Sequence, residues 1–113
     1  MSTRLPTALE VSALIRQVEA AGGFAAVLAK GEPDAGALLL VLAGPDAPQR
    51  ACERMPRADG EREWRVARVQ DPDNSQDFVN YLDRRRAQDS DLWVVELDVV
   101  AAERLIGLSP SSN

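Results

Sequence analysis

Residues 37–43, ALLLVLA, are seven apolar residues in a row, opened by Gly36 and closed by Gly44 and Pro45. On a strand, Leu38, Leu40 and Leu42 point one way and Leu39 and Val41 the other. Both faces are apolar, so both need covering. The bracketing Gly and Pro favour a strand over a buried helix. This stretch is read as the central strand of a small sheet.

The rest of the chain is arranged around it. Val11, Leu14, Ile15 and Val18 fall on one helical face. They predict a helix over about 12–21, with an extension before it in which Thr7 and Glu10 have capping-box spacing. Gly22 and Gly23 stop it. Residues 24–30 are a second apolar run. Turn chemistry over 31–36 links it to the central strand, which predicts an antiparallel hairpin. Residues 50–55 and 64–69 alternate polar and apolar positions and predict two further strands near a sheet edge.

The polar stretch 71–75 offers caps for a second helix, whose inward face is Phe78, Tyr81, Leu82 and Arg85. Residues 92–97 form a fifth apolar strand. Residues 99–106 fit a short helix or a turn and a strand. The fold class expected is α+β: a mostly antiparallel five-stranded sheet, order 4-3-2-1-5, with two helices packed on it. Two-sided burial also admits a three-layer α/β/α sandwich. The expected organisation is one globular domain over 1–107 and a flexible tail over 108–113.

Composition removes whole classes of chemistry. The 113 residues contain no histidine and a single cysteine. Ser-His-Asp and Cys-His catalysis, HExxH zinc binding, paired-cysteine metal sites and an internal disulfide are therefore excluded. The net charge of −5 argues against nonspecific binding to nucleic acid or anionic membrane. The first residues lack the apolar core of a signal peptide, and a cytoplasmic location is expected.

The motifs that remain have simple structural readings. Gly31 and Gly36 have phosphate-loop spacing, but no Lys-Ser or Lys-Thr follows. Asp71, Asp73, Ser75 and Asp77 open like a calcium loop, yet Gln76 and Leu82 stand where Gly and Glu are required. Cys52 has no histidine to activate it. Arg84, Arg85 and Arg86 suit the negative end of a helix dipole. No catalytic residue, metal site or cofactor is assigned.

Arg16, Trp64 and Glu96 are the candidates for binding. Trp64, among charged neighbours, is expected at an exposed edge or in a dimer contact. Glu96 shares a face with Leu92 and Val94 and is expected to pair with an arginine, Arg16 or Arg104.

The chain resembles a family of short, uncharacterised alphaproteobacterial proteins carried as a domain of unknown function. The resemblance rests on residues 12–16 (SALIR), Lys30 and Gly31 with Asp34, Ala35 and Gly36, and residues 89–96 (DSDLWVVE), and covers about 5–98. It implies a bacterial cytosolic protein and no mechanism. The reading is a non-catalytic binding or accessory module, with an unidentified protein partner or self-association as a homodimer. The alternative is a small enzyme acting on a small molecule through carboxylate and arginine groups.

Overall fold

The computed structural model describes residues 5–45 and 47–108. The elements run α1 (Thr7–Ala20), β1 (Phe24–Ala29), β2 (Leu38–Gly44), β3 (Ala47–Pro56), β4 (Arg62–Val69), α2 (Ser75–Gln88), β5 (Trp93–Asp98) and α3 (Ala102–Leu105). The five strands form one sheet in the order β1-β5-β2-β3-β4. All neighbours are antiparallel except β2 and β5, which run parallel. The class is the α+β arrangement expected from the sequence.

Read from β4, the order is 4-3-2-5-1. Against the expected 4-3-2-1-5, the last two strands are exchanged, and β5 separates the two strands expected to form a hairpin. Side-chain size accounts for this. Trp93, Val94, Val95 and Leu97 fill both faces and are buried, whereas half of β1 is alanine. The bulkier strand gains more by taking the interior position.

The connection over 30–37 therefore crosses the start of β5. Gly31 and Gly36 each lie so close to the Asp91 carbonyl that a β-carbon would collide with it. The crossing is tied down by the Glu32 amide donating to Asp91 (3.0 Å) and the Trp93 indole donating to the Glu32 carbonyl (2.8 Å). The glycine pair serves close backbone approach.

This crossing also fixes α1. Thr7 does not act as a capping-box residue. Its hydroxyl donates to the Gly36 carbonyl at 2.8 Å, and its amide to Asp34 at 3.2 Å. The helix starts at Thr7, earlier than the sequence pattern alone indicates. Its inward face is the predicted one: Val11 and Val18 are buried, and Leu14 and Ile15 pack against the same cluster.

The layers are three. α1 and α3 cover the face bearing Leu38, Leu40, Leu42, Cys52, Trp93, Val95 and Leu97. On the other face, Phe78, Tyr81 and Leu82 of α2 cover Leu39, Val41, Ala51, Leu92 and Val94. Asn74 caps α2 by accepting from the Asp77 amide. The expected tail lies outside the described residues except for Leu108, which packs against the first cluster. No described helix is long and apolar enough to cross a membrane.

Candidate functional site

The two edges of the sheet have opposite chemistry. β4 carries Arg62, Glu63, Arg65 and Arg68. Charges along an edge discourage pairing with another strand. β1 reads Phe-Ala-Ala-Val-Leu-Ala and carries no charge at all. Among the described residues it pairs only with β5, which leaves its outer row of amides and carbonyls without a described strand partner. Phe24 is 66% exposed, Val27 43% and Leu28 45%. The pairing with β5 is regular from Phe24 to Val27 and shifts register between Val27 and Ala29.

The apolar side chains of β1 lie on both sides of the sheet. Val27 pairs with Val95 and shares its face, while Phe24 pairs with Asp98 and Ala26 with Glu96 on the opposite face. A docked helix would cover one side only. An added strand satisfies the backbone and covers both.

The three predicted binding residues are not brought together. Trp64 lies on β4, half-buried, at the edge of the α1 layer. The Arg54 guanidinium stacks over its ring at 4.8 Å and is itself held by both carboxylate oxygens of Glu10. Arg16 is exposed on α1. Glu96 points to the α2 face, so the sheet separates it from α1. Among the described residues, Glu96 forms no ion pair with Arg16, Arg104 or any other cation. α2 covers only the Leu92 and Val94 end of that face. At the other end an open hollow of about 680 Å³ is lined by Ala43, Gln49, Gln70, Glu96 and Asp98 among others. The expected partner is absent because solvent reaches this carboxylate.

Glu53 has the environment expected of Glu96. Arg85 donates to both its oxygens (2.7 and 3.1 Å), and the Tyr81 hydroxyl donates to one at 2.8 Å. The Arg85 hydrogen bonds hold the Glu53 carboxyl below the usual range, against the opposing effect of burial, with Tyr81 assisting. Burial, with Glu53 second, pushes the Tyr81 phenol up to about 12. Arg68 stacks on the Tyr81 ring at 4.8 Å and bonds Asp77 at 3.0 Å. The cluster fastens α2 to β3 and β4, and its groups satisfy one another. Arg85 alone of the arginine triplet turns inward; Arg84 and Arg86 are exposed.

Cys52 is fully buried on β3 beneath the α1 layer. Burial pushes its thiol up to about 11, outweighing the lowering effect of Arg50. The thiolate is the reactive form. Native protein at pH 8 should therefore resist a thiol reagent, and denaturant should release one reactive equivalent. Rapid labelling of the folded chain would show that Cys52 is accessible.

The family described as protein of unknown function DUF1491 matches residues 5–107. The chain belongs to the DUF1491 family. It is similar to a DUF1491 family protein of Caulobacter crescentus CB15 solved by crystallography, at 35% identity and TM-score 0.73 over 84% of this chain and 88% of that one. It is also similar to protein Atu0922 from A. tumefaciens, a solution structure, at 33% identity and TM-score 0.78 over 98% and 99% of the two chains. An NMR structure of a DUF1491 family protein from Caulobacter crescentus CB15 matches at 31% identity and TM-score 0.78 over 98% and 100%. No functionally curated protein matches. Two of the segments that carried the resemblance meet in this DUF1491 chain: the Gly31–Gly36 crossing packs on residues 91–93 at the start of β5.

Proposed function

We propose that this DUF1491 protein is a non-catalytic recognition module of the bacterial cytoplasm that binds protein by accepting a strand on the free edge of β1. The observation that carries this reading is the uncharged, apolar edge itself, unpaired among the described residues and opposite an edge that is heavily charged. An exposed apolar edge strand is a template for pairing, and the register shift between Val27 and Ala29 leaves Phe24–Val27 as the regular stretch that offers it. The enzyme alternative needs convergent arginine and carboxylate groups around a pocket. The half-buried arginines Arg50, Arg54 and Arg85 are engaged by Glu103, Glu10 and Glu53; the described lining of the hollow at Glu96 contains no arginine, and in the hollow lined by Arg50 and Glu103 the two are bonded to each other.

Selection from displayed extended peptides tests the reading. A selected apolar peptide should bind the wild-type chain and lose at least about tenfold in affinity against Val27→Lys, equivalent to about 1.4 kcal/mol. Val69→Lys, on the β4 edge, should bind it as wild type does. Equal affinity for Val27→Lys and wild type would refute the edge as the docking site.

A further inference from the structure

We propose that the strand added to β1 is β1 of a second copy of this chain, joined antiparallel about a twofold axis to give a continuous ten-stranded sheet. This rests on the strand-addition reading above and names its partner. Self-pairing is isologous, so any charge near the axis would meet its own copy. β1 has none across its six residues. Its single flanking cation, Lys30, falls at opposite ends of the paired strands and does not face itself.

Symmetry restricts the register. A twofold axis perpendicular to the sheet requires paired residues to share a face, so the pair is centred on one residue. Centring on Ala26 sets each small Ala25 opposite Val27 of the other copy. It also brings Phe24 and Leu28 of opposite copies together at the ends of the pair. All three large exposed side chains of β1 then enter the interface. A centre shifted toward either end leaves Phe24 or Leu28 outside it.

Size sets the strength. Stable interfaces bury about 1,200–2,000 Å² in total, and one six-residue strand pair lies at or below the low end. The dimer is therefore weak, with a dissociation constant of roughly 10–1,000 µM. Each copy carries a net charge of −5, so the two repel at long range while the contact itself is uncharged. Added salt screens this repulsion and should tighten the dimer. A partner held by opposite charge would show the reverse.

Sedimentation equilibrium of the full chain over a dilution series tests the proposal. Wild type should show a reversible monomer–dimer equilibrium that strengthens with salt. Val27→Lys and the more exposed Phe24→Lys should stay monomeric at every concentration, with far-UV circular dichroism confirming that they fold. Ala26→Cys should link to a second copy with a short thiol crosslinker, and Ala67→Cys, exposed on β4, should not. Wild type monomeric throughout, or a dimer indifferent to both lysine variants, would overturn self-pairing. If the wild-type chain is monomeric but still binds the selected peptide, edge recognition stands and the second copy is wrong. If neither binding is seen, both fall.

Discussion

Replacing Phe78 with Ala should lower stability by about 3–5 kcal/mol, the usual loss for a large core aromatic truncated to Ala. Phe78 is 2% exposed and is the buried residue of α2. It fills the centre of the cluster beneath that helix, against Leu39, Val41, Ala51 and Val94. Tyr81 and Leu82 flank the site but are only partly buried, so they cannot close the cavity by small shifts. Urea denaturation is the measurement. A loss below about 1 kcal/mol would place α2 at the surface without a core contact.

The second large effect belongs to Glu53. Glu53→Gln keeps the shape and removes the charge that Arg85 and Tyr81 face. Breaking a buried pair leaves an uncompensated charge, at about 3–5 kcal/mol. About a fifth of each side chain remains exposed here. Solvent screening reduces the expected loss to about 2–3 kcal/mol. The surface pair Arg65–Glu63, with Arg65 65% exposed, provides the contrast: Arg65→Ala should change stability by less than about 0.5 kcal/mol.

The pH dependence follows from the direction of the Glu53 shift. Its folded pKa lies below the unfolded value of about 4.3. The unfolded chain therefore takes up the proton first as pH falls. The Glu53 contribution is complete above the unfolded pKa and is lost as pH drops through the folded one. Wild type should lose stability below about pH 4, and Glu53→Gln should show a shallower fall over that range. Parallel profiles would mean that Glu53 is not the linked group.

The faces of the two long helices and the central strand were legible because apolar spacing alone determines them. Val11 and Val18, or Phe78 and Leu82, need no knowledge of their partners to be assigned inward. The exchange of β1 and β5 was not legible from chain order, since neighbouring strands ordinarily pair. The available signal was size: three alanines in β1 against Trp93, Val94, Val95 and Leu97 in β5. Because both runs are apolar on both faces, the exposed edge at Phe24, Val27 and Leu28 was hidden in what reads as an interior strand.

The ion pairs were hidden for another reason. Glu53 and Arg85 are 32 residues apart, and Glu10 and Arg54 are 44 apart. Nothing local indicates which carboxylate finds which arginine. Glu96 lies on the face the alternation assigned to it, but how far α2 extends over that face depends on where Phe78 docks.

Backbone amide hydrogen exchange of β1 tests the central claim most directly. At high dilution the outward amides of Phe24–Ala29 should exchange as open groups. On raising the concentration of the chain, or on adding the selected peptide, those amides should slow at least about tenfold, while the outer amides of β4 keep their rates. Unchanged β1 exchange under both conditions, or protection at β4 or around the Glu96 hollow instead, would contradict the account.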